Sequence, residues 1–218
     1  SRGTYDHLLE EYVEFSNGIQ TGDYPQFGRN YWELKLLDGN IWEFQLSTTK
    51  RSIEYGGREH CIFWNGGQGK LRELIVAKVG NSGVASWLRG TRYKDYSGMA
   101  ISAMGEIKAT LYRGELFDDN TVVLLPKRQE DLGAIWGICK DDSYNSRVRE
   151  IDQSTKIRGA LVRIPIYPSE WIKLKINRLP EPQSNDPTQW LFHGHPAGMV
   201  AAGPAARSPW GIADPVGA

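Results

Sequence analysis

Met99-Ala-Ile-Ser-Ala-Met-Gly-Glu-Ile-Lys-Ala-Thr-Leu-Tyr-Arg-Gly-Glu-Leu-Phe-Asp-Asp-Asn-Thr-Val-Val-Leu-Leu-Pro126 holds three apolar or β-branched runs, at 99–104, 107–112 and 121–125. Such residues fit a pleated, buried surface, and glycine separates the runs. The stretch predicts neighbouring strands of one sheet and the core of the domain. After Pro126, Leu132, Ile135, Trp136, Ile138 and Cys139 recur at helical spacing. Tyr144, Val148 and Ile151 continue that pattern beyond the polar break Asp141-Asp142-Ser143, so two successive helices are expected to pack on the sheet. Ala160 to Ile166 then reads as a strand, and Pro168-Ser169-Glu170 opens a helix through Trp171, Leu174 and Ile176.

Upstream, Leu8, Leu9, Tyr12, Val13 and Phe15 stand among acidic residues with an amphipathic spacing that predicts a helix over Tyr5 to Phe15, stopped at Asn17-Gly18. From Tyr31 to Leu46, apolar residues alternate on either side of Asp38-Gly39-Asn40, which predicts a hairpin. Cys61 to Trp64 reads as a short buried strand, 65–69 as a glycine-rich loop, and Lys70 to Val79 as a helix or an irregular amphipathic segment. Beyond Leu179 the texture changes to Pro, Gly and Ala, which predicts an irregular or disordered arm over 179–218. The fold class that results is α+β: a mixed central sheet with flanking helices and an irregular C-terminal arm.

The bulk properties narrow the function classes. A chain of 218 residues can bury one substantial core. Its 26 basic residues equal its 26 acidic ones, so no whole-molecule field attracts a polyanion and any nucleic-acid surface must be local. Two cysteines far apart in sequence, Cys61 and Cys139, suit a reducing compartment, and no apolar run reaches spanning length. A cytoplasmic protein without a membrane partner is expected, and a first residue of Ser1 suggests a cut or processed N-terminus.

Several familiar chemistries lack their residues. Gly66-Gly-Gln-Gly-Lys70 falls short of a phosphate loop, because Trp64 stands where a glycine is needed and Leu71 where Ser or Thr is needed. Glu106-Ile107-Lys108 has no preceding Pro-Asp, and His193 and His195 have no third metal ligand close in sequence. No serine or cysteine sits in a nucleophile elbow.

Four stretches stand in a characteristic order: Asn17-Gly-Ile-Gln-Thr-Gly-Asp23, Tyr55-Gly-Gly-Arg-Glu-His60, Tyr112-Arg-Gly-Glu-Leu-Phe-Asp-Asp-Asn120 and Asp186-Pro-Thr-Gln-Trp-Leu-Phe-His-Gly-His-Pro196. Together they resemble the post-catalytic half of large type IIG-like N6-adenine DNA methyltransferases. The resemblance runs from about Gly18 to Pro196. In that family a Gly-x-x-Thr-Gly-Asp-Asn passage leads to a phenylalanine, an arginine and a Trp-Glu pair, matched here by Gly18 to Glu33 with Tyr24 in place of the asparagine. Met99 to Gly105, Thr110 to Asn120 and Asn120 to Pro126 are similar to the family's target-recognition region, and Ile151 to Pro165 to its closing strand. The resemblance implies a module that reads duplex DNA and presents an adenine to a catalytic domain, in a restriction-modification or phage-defence system. S-adenosylmethionine would belong to that catalytic domain. The Asn/Asp-Pro-Pro-aromatic tetrapeptide that holds a flipped adenine is missing, since the chain has no Pro-Pro dipeptide, and no cofactor is expected here.

On this reading 1–17 is a linker helix, 18–178 the recognition domain and 179–218 the tail. The expected DNA contacts are Lys50, Arg51, Arg58, Trp87, Arg89, Arg92, Tyr93, Lys94, Lys156 and Arg158, basic residues interleaved with aromatic ones. Arginine forks and lysines pair with phosphates or guanine edges, and rings stack where a base leaves the helix. A second group, Arg147, Arg149, Lys156, Arg158 and Arg163, either faces DNA or balances the acids around Asp141 and Asp142. Two other readings stay open from the residues alone: a non-enzymatic interaction or scaffold domain or truncated gene product without DNA affinity, favoured by the neutral charge and the unusual C-terminal composition, and a carbohydrate-binding module, favoured by eight tryptophans and ten tyrosines.

Overall fold

The computed structural model describes residues 7–35, 37, 40–182 and 186–190. Among these described residues ten strands and five α-helices follow in chain order: β1 His7–Leu8, β2 Val13–Asn17, α1 Tyr24–Phe27, β3 Gly28–Asn30, β4 Trp42–Leu46, β5 His60–Phe63, α2 Lys70–Trp87, β6 Gly98–Ser102, β7 Ala109–Tyr112, β8 Leu116–Phe117, β9 Thr121–Pro126, α3 Leu132–Lys140, α4 Asp142–Ile151, β10 Pro165–Ile166 and α5 Pro168–Leu174. The class is α+β, with mixed strand pairing and flanking helices.

The stretch that opens the sequence analysis forms the middle of the first sheet. Its order is β2-β9-β6-β7, antiparallel throughout, with Leu124 opposite both Phe15 and Met99. Every residue of β6 and β7 is buried, because both faces of the sheet are covered. Met99, Ile101, Leu111, Val122 and Leu124 pack under α3 and α4 with Trp136, Ile138 and Val148. Ala100, Tyr112 and Val123 turn the other way, onto Leu46, Tyr93 and Phe117. Two-sided burial explains why these strands read as continuous apolar runs instead of alternating ones.

The second sheet, β3-β5-β4-β8, is mixed: β4 runs antiparallel to β5 and parallel to β8. Ile62 and Leu116 on one of its faces meet Leu71, Ile75 and Val84 of α2. That helix contains a break at Gly80 (φ 70°, ψ 169°), so the expected helix over 70–79 continues as a second helical segment to Trp87. The turn Asp118-Asp119-Asn120 carries the chain from β8 of the second sheet into β9 of the first.

Three expectations are corrected. Tyr5 to Phe15 is not a helix where it is described: β1, a 3-10 turn at Leu9–Glu11 and β2 occupy it. Its backbone is bonded across the molecule, Leu9 N–H to Ile164 O (3.1 Å) and Glu10 N–H to Val162 O (2.8 Å), and β2 is the edge strand beside β9. The linker helix assigned to 1–17 is therefore absent over 7–17. The hairpin over Tyr31 to Leu46 is replaced by a 3-10 turn at Tyr31–Glu33, and β4 takes β5 and β8 as its neighbours. Ala160 to Ile166 begins in a 3-10 turn at Gly159–Leu161 and continues irregularly, with only Pro165–Ile166 in a strand. The stretch 191–218 of the expected arm, with His193 and His195, lies outside the described residues. No helix among the described residues is long and apolar enough to cross a membrane.

Candidate nucleic-acid interface

The two neighbouring acids of the β8–β9 turn take different kinds of partner. Asp118 is drawn inward, where its carboxylate accepts hydrogen bonds from Ser47 Oγ (2.6 Å), Thr121 Oγ1 (2.8 Å) and the Asn120 N–H (3.1 Å). Burial pushes its carboxyl above the ordinary 3.8, and the bonds from Ser47 and Thr121 oppose that rise. Asp119 instead meets a group of cations. Lys156 Nζ lies 2.5 Å from it, Arg158 Nη2 donates to both its oxygens (3.0 and 3.2 Å), and Arg89 Nη2 stands at 3.6 Å. Lys156 Nζ also reaches Asn120 Oδ1 at 3.2 Å.

Local structure brings these three cations together from distant parts of the chain. Lys156 and Arg158 flank Ile157, whose N–H donates to Ala103 O (2.8 Å) just beyond β6, and Lys156 itself bridges Met104. Arg89 follows α2, where Leu88 bridges Ile19 and Ile19 bridges Asp118. The next residue, Gly90, is left-handed (φ 80°), and a side chain there would overlap the Phe117 ring, so only glycine lets the chain pass this close to β8.

Three cations share one carboxylate, which leaves a local excess of two positive charges in a protein of zero net charge. Their side chains are 30–37% exposed, whereas that of Asp119 is 16% exposed. The Nε atoms of Arg89 and Arg158 are buried and have no hydrogen-bond partner. Those Nε atoms are shielded from solvent, so a ligand would meet the exposed parts of the same side chains and of Lys156. Guanidinium forks beside an ammonium suit the oxygens of a phosphate.

The other expected contacts separate. Lys50 and Arg51 are exposed just past Thr49, whose N–H donates to Ser102 Oγ (3.2 Å) at the end of the sheet where β9 begins. Arg58 is corrected to a structural role: it is fully buried, with Nε 2.5 Å from Glu115 and its Nη atoms donating to Gly56 O (3.0 Å) and Leu111 O (2.8 Å). Tyr93 is buried, and its carbonyl accepts from Tyr112 Oη (3.0 Å). Trp87 is half-buried against Gly22, and Lys94 is held by Glu43 at 2.6 Å. Arg92 is exposed, with its guanidinium carbon 4.9 Å from the centre of the Tyr93 ring. The segment from Trp87 to Lys94 is thus no continuous contact strip, and Arg89 alone of its residues joins Lys156 and Arg158. In the second basic group, Arg147 pairs with Glu170 (2.5 Å), and Arg149 donates to Ser154 O (2.7 Å) and to Gly105 O. Asp119 and Asn120, which hold Lys156, lie inside a quoted motif but carried no expected contact, because neither an acid nor an amide stands out in sequence as part of a basic surface.

The separated sequence motifs also meet in space. Tyr24 Oη and His60 Nδ1 are 2.9 Å apart, Arg58 bonds Glu115, and Ile19 bridges Asp118. An open cleft of about 680 Å³, lined by Trp42, Phe44, Arg113, Glu115, Asp186 and Thr188, brings the start of the fourth motif beside the third. Among the described residues no group of three His, Cys, Asp or Glu side chains is placed to hold a metal ion. No protein-family model matches the chain, and no curated protein is significantly similar to it.

Proposed function

We propose that this chain is a duplex-DNA recognition module, the target-reading part of an N6-adenine DNA methyltransferase of a restriction-modification or phage-defence system. The observation that carries DNA contact is the convergence of the partly exposed Arg89, Lys156 and Arg158 on a single carboxylate. Phosphate contacts of this kind set register on a duplex, and sequence is read by other side chains in the grooves. The assignment to a methyltransferase rests on the ordered motifs from Gly18 to Pro196. Methyl transfer and S-adenosylmethionine then belong to a catalytic domain outside this sequence, with which the module pairs.

The test is fluorescence-anisotropy binding to a mixed-sequence duplex over a salt series, with heparin as competitor. The logarithm of the binding constant should fall linearly with the logarithm of salt, by about 0.9 per phosphate contact. R89A/R158A should flatten that slope by up to about 1.8, two contacts' worth, while thermal unfolding stays close to wild type. Equal binding by the wild type and the double variant, or none by either, would overturn this reading in favour of a scaffold domain.

A further inference from the structure

Asp119 is an unusual neighbour for a phosphate site. It sits where the three cations converge, and it occupies the donors that a phosphate oxygen would otherwise take. The adjacent acid has a structural job, since Asp118 ties Ser47 and Thr121 into the turn, but the described partners of the Asp119 side chain are all cations. Its hold is graded: tight on Lys156, two-oxygen on Arg158, and beyond hydrogen-bond distance on Arg89. Building on the DNA-binding reading, we infer that Asp119 is a resident counter-charge that neutralises one cation of the phosphate site and so restrains sequence-independent binding to DNA. The cluster then offers two effective charges where its residues could offer three. A module that must leave wrong sequences quickly benefits, because sequence-independent affinity is set almost wholly by phosphate neutralisation.

The substitution D119N keeps a carbonyl oxygen for Lys156 and Arg158 and removes the charge. N120D is its converse: Asn120 Oδ1 already faces Lys156 Nζ at 3.2 Å, so the change adds a second carboxylate at the same place. Both are measured against several mixed-sequence duplexes over a salt series, alongside wild type and R89A/R158A. In D119N the salt slope should steepen by about 0.9, with affinity at 0.05 M salt rising on the order of tenfold for every sequence alike. In N120D the slope should flatten by about the same amount and affinity should fall. If wild type binds with a salt slope while D119N is no tighter, or N120D no weaker, the counter-charge role is wrong and the DNA reading stands. If N120D alone yields folded protein, its slope decides the matter by itself. If no variant differs from wild type and R89A/R158A binds equally, the DNA reading falls and this inference with it.

Discussion

Arg58 and Glu115 form a 2.5 Å ion pair in which the arginine is completely enclosed and the glutamate side chain is 10% exposed. The guanidinium also donates to Gly56 O and Leu111 O, so one side chain ties the 55–58 loop to β7 and to the turn before β8. Removing one partner of a buried pair strands the other charge. R58A is expected to lower unfolding stability by about 3–5 kcal/mol in urea titrations. A loss below about 1 kcal/mol would show that the pair is solvated and return Arg58 to the list of surface cations.

Glycines 133 and 137 lie one turn apart on α3, and a side chain on either would overlap a carbonyl oxygen, that of Ile176 at Gly133 and of Leu174 at Gly137. The Ile176 N–H in turn donates to Gly133 O (3.2 Å). Replacing a helical glycine with alanine ordinarily stabilises by about 0.5–1 kcal/mol. Here the sign should reverse: G133A and G137A should each destabilise by about 1–3 kcal/mol in thermal unfolding. A rise in Tm for either variant would mean that the end of α5 and the residues just after it do not pack against α3.

Asp141 caps α4, accepting from the Ser143 N–H (2.9 Å) and from Ser143 Oγ (2.5 Å). The Ser143 hydroxyl first, and then its N–H, hold the Asp141 carboxyl below the ordinary 3.8. A depressed carboxyl contributes stability that is present above its unfolded value and lost as pH falls through the folded one. D141A should therefore cost about 1 kcal/mol at pH 7, and the gap to wild type should narrow as pH falls below 3.8. Denaturant titrations at both pH values check this, and a gap independent of pH would dismiss the charged cap.

Cys61 is fully buried on β5, and burial pushes its thiol from the ordinary 9.0 to about 12. Cys139, on α3, is moved in the same direction by the same cause. Neither should react with Ellman's reagent in the native protein at pH 8, and both should react at once in denaturant, because only the thiolate attacks. The sign for stability is opposite to that of Asp141: the contribution is complete below 9.0 and is lost as pH rises towards about 12. Rapid labelling of the native protein would refute the enclosed position of β5.

Residues with strong local signals were legible. The β-branched runs between glycines became β6, β7 and β9, and the helical spacing from Leu132 to Ile151 became α3 and α4. Leu8 to Phe15 misled because the same apolar positions serve an edge strand. Val13 is buried while Glu14 and Phe15 are exposed, and the partner that makes this a strand is β9, more than a hundred residues away. Asp38-Gly39-Asn40 looked like a hairpin turn, yet β4 pairs with two strands that come later in the chain.

For the site, composition already required that any DNA surface be local, and the arginines and lysines were visible as residue types. Which of them share a surface was decided by packing. Arg58 lies in the interior and Arg89 beside Lys156 and Arg158, although Arg58 and Arg89 look alike as sequence. Side-chain chemistry and short-range periodicity are written in the order of residues, so strands, helices and the pool of candidate cations could be read directly. Strand partners, burial of a charge and the three-cation contact with Asp119 depend on pairs far apart in the chain, and only the folded backbone sets those distances.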